Sequence, residues 1–174
     1  SRIGPKFLQS GPGFGGSCFQ KDILNLVYLC RHYGLDEVAE YWHQVIKIND
    51  YQKDRFAQKI IDYFGGDLTG KKIGILGWAF KANTNDSRES PAIFVTEKLF
   101  RAGATLLIYD PMVTKESIFR DINFYWDSSK TMGFNSQISV IDSDVKLDYD
   151  AVAILTEWDA FKNIDFSKNI VFDG

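Results

Sequence analysis

The stretch Lys72-Ile73-Gly74-Ile75-Leu76-Gly77 decides the fold class of this chain. It is a short apolar run that stops at a glycine, as a buried strand does before a loop. Ser90-Pro91 then supplies a helix cap and a first-turn proline for an apolar helical pattern that ends at Gly103. A second apolar run follows at residues 105–109. Strand, helix and strand within about 35 residues form a βαβ unit, which predicts a parallel sheet.

The alternation of predicted strands and helices continues to the end of the chain. Further strands are predicted at residues 122–124, 138–141, 151–155 and 170–172, and further helices at 114–120 and 158–162. Residues 127–135 carry no clear pattern and are predicted to be irregular. Residues 71–174 are therefore predicted to form a Rossmann-like domain with a parallel sheet.

The residues before this domain follow a helical period. A first helix is predicted over residues 18–33, ended by Gly34. A second pattern, capped by Asp36, runs to residue 64 without Gly or Pro and predicts one helix, or two nearly continuous ones, of about 30 residues. So long a helix is either an ordinary core helix or a connecting, dimer-forming one, and the pattern leaves both open. Residues 1–70 are interpreted as a separate helical region. Together with the parallel-sheet domain that follows, this region predicts an α/β fold class.

A glycine-rich run, Gly11-Pro12-Gly13-Phe14-Gly15-Gly16-Ser17, brings Cys18 to the start of the first predicted helix. The first N–H groups of a helix have no partner within it and carry the positive end of its dipole. A thiol at this position is expected to be a better nucleophile. Lys21 adds positive charge, and Asp22 follows one turn on, where a carboxylate can orient or activate a water.

Other interpretations of this segment remain open. Free cysteines are usually small core residues, and a glycine loop before a helix can simply bind a phosphate. Cys30, on the same predicted helix without glycines or cations beside it, is interpreted as a core residue. His32 and His43 have no partners at ligand spacing and are interpreted as surface or core-edge residues.

Composition limits the remaining possibilities. The chain has 174 residues, of which 45% are hydrophobic and 25% charged, as in a globular protein. A formal net charge of −3 argues against a nucleic-acid partner, and no apolar run is long enough to span a membrane. Two cysteines without a metal-binding spacing indicate neither a zinc site nor a disulfide scaffold, so a reduced, cytoplasmic setting is expected.

The sequence leaves open whether the predicted parallel-sheet domain binds a ligand. Gly74 and Gly77 depart from the one-three-six spacing of glycines that binds dinucleotides. A ligand is still expected at the carboxyl ends of the strands, although an inert Rossmann-like fold is equally compatible with the pattern. Asp110-Pro111 is interpreted as a turn and not as a ribose-binding site.

Four strings carry a resemblance to a known family. They are Gly13 to Asp22 with the following apolar helix, Ile75 to Lys81 with Asp86 to Pro91, Leu107 to Pro111, and Leu155 to Asp159. In this order they resemble the UDP-glucose 6-dehydrogenase family over nearly the whole chain. Related enzymes acting on GDP-mannose share Gly15-Gly16-Ser17-Cys18, but the Phe19-Gln20 pair resembles the UDP-glucose branch.

The resemblance implies a role for particular residues. Cys18 and Asp22 match the catalytic residues, while Lys21 and Arg88 match NAD-contacting ones. On sequence alone, Arg88 is equally well a solvated charge beside two acidic residues. The residues that match substrate-binding positions are Arg2, Phe7, Leu8, Gly11, Phe14, Gly15, Phe80 and Lys81. Gln9, where the family usually has lysine, and the pair Gly11-Pro12 depart from its pattern.

The implied reaction converts UDP-glucose to UDP-glucuronate with two NAD, through a thiohemiacetal and a thioester on Cys18. The chain starts as the middle of a protein does and has no dinucleotide fingerprint near its start, so we expect a fragment whose NAD-binding domain lies upstream and which is inactive alone. The resemblance also implies a homodimer through the long helix, and beyond it a higher homo-oligomer. The alternatives are a non-catalytic UDP-sugar-binding or dimerisation module, and a sibling dehydrogenase for GDP-mannose or UDP-N-acetyl sugars.

Overall fold

The structure, a computed structural model, describes residues 4, 10–126, 136–141 and 148–174. Two helices come first, α1 (Phe19–His32) and α2 (Asp36–Tyr63). The sheet half follows as β1 (Lys72–Leu76), α3 (Pro91–Arg101), β2 (Thr105–Tyr109), α4 (Lys115–Tyr125), β3 (Ile138–Val140), β4 (Ala151–Ile154), a short 3-10 helix (Asp159–Asn163) and β5 (Ile170–Asp173). Within these ranges, no helix combines the length and apolar character needed to cross a bilayer.

The five strands form one parallel sheet in the order β3-β2-β1-β4-β5. The chain adds strands on one side of β1 and then crosses to the other, so strand order reverses between β1 and β4. Ligands of open α/β sheets bind outside the carboxyl ends of the strands at such a reversal. The predicted Rossmann-like parallel sheet is therefore confirmed, and its topology indicates where to look for a ligand.

Burial accounts for the strand composition. The central strands are apolar along their length because helices or loops cover both faces of the sheet. Ile73 and Ile75 of β1 are fully buried, and Leu99 of α3 packs in the same core cluster. Ser90 caps α3 as predicted, since its side chain accepts a hydrogen bond from the backbone N–H of Ala92.

The first helical region is held by a smaller apolar cluster between α1 and α2. Its buried members are Ile23, Val27, Cys30, Ala39 and Ile46. The long pattern is confirmed as a single helix, because α2 runs for 28 residues, about 42 Å at 1.5 Å per residue. The interpretation of Cys30 as a core residue is also confirmed.

Two predictions of local structure were wrong. Residues 122–124 are not a strand: α4 continues to Tyr125, because Ile118, Asp121 and Ile122 share one buried face at helical spacing. Asp36 does not cap α2, since the capping position is Leu35 and Asp36 is the first helical residue. Its carboxylate there still interacts favourably with the helix dipole. The irregular segment predicted at 127–135 lies outside the described residues.

We predict that Ile75→Ala lowers the free energy of unfolding by about 2–5 kcal/mol, because it leaves a cavity in the centre of the sheet. Val171→Ala, on the edge strand β5 where that side chain is 37% exposed, is the matched control and should cost less than about 1 kcal/mol. Urea unfolding of both variants measures the difference. Equal losses would mean that the β1 core does not carry the stability of the sheet.

Candidate functional site at the cysteine loop and the sheet edge

The cysteine lies where the loop ends and α1 begins. Cys18 occupies the N-cap position of α1, makes no side-chain capping hydrogen bond, and is exposed. Its sulfur lies 3.6 Å from the Ser17 hydroxyl oxygen. Lys21 and Asp22 are both exposed in the first turn. The thiol is thus accessible and is not packed in a core. Its place at the start of a helix agrees with the sequence prediction, which had left open whether Cys18 is exposed.

The loop before Cys18 is held against α2 by one buried amide. The Asn49 side chain accepts a hydrogen bond from the backbone N–H of Phe14 at 2.7 Å and donates one to the carbonyl of Phe14 at 3.0 Å. One turn on, Gln52 donates to the carbonyl of Gly11 at 3.3 Å. Phe14 also packs edge-on against Phe19, with ring centroids 4.7 Å apart. These contacts fix the path of the chain four residues before the thiol.

On its other side, the loop contacts the segment between β1 and α3. The backbone N–H of Gly16 donates to the carbonyl of Arg88 at 2.7 Å. A Cβ at Gly15 would overlap the Glu89 carbonyl oxygen, and one at Gly16 would meet the Phe80 ring at 3.0 Å. Gly16 also has a φ of +88°, which L side chains rarely adopt. Both glycines are therefore required for the cysteine loop to approach the loop that carries Phe80.

A shallow cleft of about 450 Å³ lies beside the cysteine, lined among others by Gly16, Ser17, Lys21, Arg88 and Tyr125. Asp86 holds the Arg88 guanidinium through two hydrogen bonds of 2.9 and 2.8 Å. The Asp86 carboxylate, through its hydrogen bonds and its charge, raises the pKa of Arg88. Arg88 in turn lowers the pKa of Asp86. The cleft therefore places two cations, Lys21 and Arg88, beside the loop residues that directly precede Cys18.

Glu89 links this cleft to α1 and α4. The Gln20 side chain donates to the Glu89 carboxylate at 3.1 Å, and the backbone N–H of Glu89 donates to the Tyr125 hydroxyl at 3.2 Å. Burial raises the pKa of Tyr125, so that hydroxyl keeps its proton at neutral pH. Glu89 has a φ of +55°, which is unusual for a residue with a side chain and is maintained by these contacts.

A larger cleft of about 640 Å³ opens at the carboxyl ends of β4 and β5, against the loop that follows β1 and so next to the reversal in strand order between β1 and β4. Ala82, Asn83 and Trp158 are among the residues that line it. Phe80 and Lys81 directly precede this lining, with the Lys81 ammonium 5.2 Å from the centre of the Phe80 ring. The sheet edge thus offers a mixed aromatic and polar cleft adjacent to the cysteine loop.

The structure brings together most of the sequence-predicted residues that it describes. Gly11, Phe14 and Gly15 lie in the cysteine loop, and Gly16 of that loop meets Phe80. Arg2, Phe7 and Leu8 lie outside the described residues. Across the described ranges, no three His, Cys, Asp or Glu side chains converge to hold a metal ion.

Three supporting residues were missed by the sequence reasoning: Asn49, Asp110 and Thr156. Asn49 is a polar residue within the apolar stripe of α2, and that mismatch was the one available signal. Asp110 was interpreted only as part of a turn, but its carboxylate also accepts from Trp78, Ala79 and Trp158.

Comparison with known proteins places these clefts in a family. Residues 74–174 match the UDP binding domain of the UDP-glucose/GDP-mannose dehydrogenase family, and residues 1–51 match its central domain. The chain belongs to this family. The larger cleft lies within the part that matches the family's UDP binding domain, and Cys18 lies within the central-domain match.

Individual family members agree with this assignment. The chain is 52% identical to UDP-glucose 6-dehydrogenase 2 of Arabidopsis thaliana, in a match that covers all of this chain and 38% of that protein. UDP-glucose 6-dehydrogenase 1 of Glycine max gives the same identity and coverage. The chain therefore spans less than half the length of the curated relatives it matches.

Solved structures support the fold. A UDP-glucose dehydrogenase from Pyrobaculum islandicum superposes with a TM-score of 0.76 at 30% identity, over 99% of this chain and 37% of that one. A GDP-mannose dehydrogenase from Pseudomonas aeruginosa superposes with a TM-score of 0.67 at 23% identity, over 98% of this chain and 38% of that one. Because its sequence identity is only 23%, the similarity to the GDP-mannose dehydrogenase shows a shared fold and nothing more.

We predict that Gly16→Ala lowers the free energy of unfolding of this chain more than Gly34→Ala does. Both glycines have positive φ, so each substitution should cost about 1–2 kcal/mol through backbone strain. Gly34 faces open space, whereas a Cβ at Gly16 would lie 3.0 Å from the Phe80 ring and would force that ring to shift, which should add about 1 kcal/mol. Urea unfolding followed by tryptophan fluorescence measures both variants, and equal losses would contradict a close approach of the two loops.

Proposed function

We propose that this chain carries the catalytic cysteine and the UDP-sugar site of an NAD-dependent UDP-glucose 6-dehydrogenase, which oxidises UDP-glucose to UDP-glucuronate. The observation that carries the proposal is the exposed Cys18 thiol at the start of α1, on a loop that contacts the loop leading into the sheet-edge cleft. Identity of 52% to named UDP-glucose 6-dehydrogenases supports the choice of sugar.

In this proposal Cys18 forms the covalent intermediate. Its sulfur adds to the aldehyde carbon of the half-oxidised sugar and gives a thiohemiacetal, so the reactive aldehyde is not released. Loss of a hydride from that carbon leaves a thioester, which water hydrolyses to the acid. Asp22, one turn further along α1, orients or deprotonates that water. An exposed thiol beside a cleft has the access to solvent and substrate that this route requires.

Nucleotide-sugar binding is assigned to the larger cleft. We assign Phe80 and Lys81 to the UDP-sugar, because they adjoin the cleft lining and because a lysine suits a pyrophosphate or sugar hydroxyl. Gly11, Phe14 and Gly15 belong to the loop that would cover the sugar. Arg2, Phe7 and Leu8 remain assigned to the same ligand by their match to family positions alone.

NAD, when bound, supplies the hydride acceptor for both oxidations. The cations Lys21 and Arg88 line one cleft with the Cys18 loop, and that donor set fits an anionic dinucleotide. We propose that residues 1–70 form the helical region and 71–174 the UDP-sugar domain, with the main NAD site in a preceding domain. In that case the chain is inactive by itself. We assign the enzyme to the cytoplasm, where the free thiols Cys18 and Cys30 stay reduced.

The proposed function predicts that Cys18→Ser loses the second of the two oxidations. In this chain joined to an upstream NAD-binding domain, the parent should form two NADH for each UDP-glucose, since both oxidations proceed. Cys18→Ser should form at most one, because the aldehyde has no thiol to trap it. Cys30→Ser is the matched control, a buried cysteine on the same helix, and should still form two. The measurement is NADH absorbance with chromatographic analysis of the sugar product.

Three outcomes would count against the proposal. Full conversion to the acid by Cys18→Ser would refute the covalent route. Faster turnover of GDP-mannose or a UDP-N-acetyl sugar than of UDP-glucose would assign the chain to a sibling dehydrogenase. No NADH formation from any of these sugars by the parent would favour a non-catalytic UDP-sugar-binding or dimerisation module.

We further propose that the enzyme pairs through α2, and that such dimers build a higher homo-oligomer. Apolar side chains recur along one stripe of this helix at steps of three and seven and remain exposed: Val38, Tyr41, Ile48 and Tyr51. A self-complementary apolar stripe on a long helix suits a two-fold interface, since exposed apolar patches commonly mark contact surfaces.

We predict that Ile48→Asp converts the chain from dimer to monomer, because it buries an unpaired charge in the pairing stripe. Ile48 is 67% exposed in the single chain, and Phe124, 79% exposed on α4, provides the matched control. Phe124→Asp should leave the dimer intact. Sedimentation velocity measures the mass of each variant, and a monomeric parent or a dimeric Ile48→Asp variant would refute pairing through α2.

A further inference from the structure

Asp110 joins the two strand ends that flank the larger cleft. It follows β2 directly and is 7% exposed. Its Oδ2 accepts hydrogen bonds from the backbone N–H groups of Trp78 at 2.6 Å and Ala79 at 3.0 Å, on the segment that leaves β1. The same oxygen accepts from the indole N–H of Trp158 at 3.1 Å, on the segment that follows β4. One carboxylate oxygen thus connects residues 32 and 48 positions away in sequence.

The second oxygen of Asp110 is also fully used. Oδ1 accepts from the backbone N–H groups of Met112 and Val113, each at 2.8 Å, which closes the turn that the sequence predicted. A carboxylate has about four acceptor positions, and five protein donors surround this one. An acidic residue at the end of β2 holds the ribose in dinucleotide-binding folds. Here that residue is directed into the protein and has no free acceptor to offer a ribose.

A further bond at the same place holds the segment from its other side. The buried Thr156 hydroxyl, after β4, donates to the carbonyl of Ala79 at 2.6 Å. The Ala79 residue is therefore bonded through its N–H to Asp110 and through its carbonyl to Thr156. Phe80 and Lys81 come next in the chain, so the position of their backbone is set by these two bonds.

We propose that Asp110 is a positioning residue for nucleotide-sugar binding: it fixes the segment leading to Phe80 and Lys81 against Trp158, and so holds both sides of the larger cleft in the binding geometry. This inference rests on the proposed function, which assigns the nucleotide-sugar to that cleft. Asp110 touches no ligand itself, and its effect reaches the ligand through Trp158 and the residues after Ala79.

The chain offers a matched control in Asp121. This second buried carboxylate also bonds the same tryptophan, since it accepts from the indole N–H of Trp78 at 3.0 Å and from the Ser87 hydroxyl. It lines a different depression, on the α4 side, and makes no bond to the segment after β4. Removing its charge therefore tests the general cost of losing a buried carboxylate near Trp78 without separating the two sides of the cleft.

The test compares Asp110→Asn with Asp121→Asn in this chain, with UDP as the probe. Calorimetric titration gives the dissociation constant, and thermal unfolding gives the melting temperature. Both variants should melt below the parent, because each places an amide N–H₂ among donors. Asp110→Asn should weaken UDP binding about tenfold or more, as expected when binding groups shift. Asp121→Asn should stay within about twofold of the parent.

Two results would overturn the inference. UDP affinity unchanged in Asp110→Asn, with a lowered melting temperature, would make Asp110 purely structural. An equal loss of affinity in Asp121→Asn would make the effect a general loosening of the domain. If Asp110→Asn does not fold, Trp158→Phe removes one donor to Asp110 and keeps an aromatic ring. That variant should bind UDP more weakly and exchange its backbone hydrogens faster at residues 78–79, and unchanged exchange there would also overturn the inference.

An error in the proposed function would give a different experimental result from an error in the role of Asp110. A parent chain that does not bind UDP would refute the assignment of the cleft. Hydrogen exchange of Asp110→Asn at residues 155–158 then decides the positioning role on its own. Faster exchange there, absent in Asp121→Asn, supports a bridge between the two strand ends, whereas exchange equal to that of the parent overturns it.

Discussion

The close approach of two backbones is the constraint on which the rest of the site depends. The cysteine loop reaches the loop between β1 and α3 only because residues 15 and 16 lack side chains, and the hydrogen bond from Gly16 to Arg88 fixes their register. This contact, together with the hydrogen bond from Gln20 to Glu89, brings an exposed thiol from the helical region beside the segment that leads into the sheet-edge cleft.

That contact is useful only if both partners are themselves fixed. On the cysteine side, α2 provides the support through the reciprocal bonds between Asn49 and Phe14. On the sheet side, Asp110 holds the backbone of Trp78 and Ala79 that leads to Phe80. Asp121 bonds the Trp78 indole and Ser87 on the α4 side, away from the larger cleft. Buried carboxylates are costly unless their acceptors are used. Donors from three segments meet Asp110, and two donors of the segment between β1 and α3 meet Asp121. Polar groups therefore order the loops, while apolar packing orders the sheet beneath them.

Much of the fold was predictable because its signals are local. The run at 72–77, the Ser90-Pro91 cap and the run at 105–109 each identify an element within a few residues. Residues 122–124 misled for the same reason: Ile122 and Phe124 alternate with a polar residue as in a strand, and only the buried Ile118 and Asp121 reveal the helical face. The position of Cys18 at the start of a helix was also predictable, from the glycines before it and the apolar helical pattern after it, but its exposure was left open.

The supporting residues were not predictable, because their roles depend on contacts between distant segments. Asn49 acts on a loop 35 residues earlier, and Asp110 joins residues 32 and 48 positions away on opposite sides. A local rule can identify the turn that Asp110 makes with Met112 and Val113, and it did, but the other three donors become visible only when the strand order is known.

The helix α2 explains why the two halves of the chain need each other. Its inward face carries Asn49, which holds the cysteine loop, and Lys53, whose ammonium lies 4.2 Å from the centre of the Phe94 ring on α3. Its outward face carries the exposed Ile48 and Tyr51. Adjacent residues on a helix point about 100° apart, so one helix serves both faces without competition. Shortening α2 by two turns at its carboxyl end would remove Ala57, Ile60 and Ile61 from the core of the sheet domain. Shortening it by two turns at its amino end would remove Ala39 from the cluster with α1, so packing at both ends is a physical reason for its length independent of any partner.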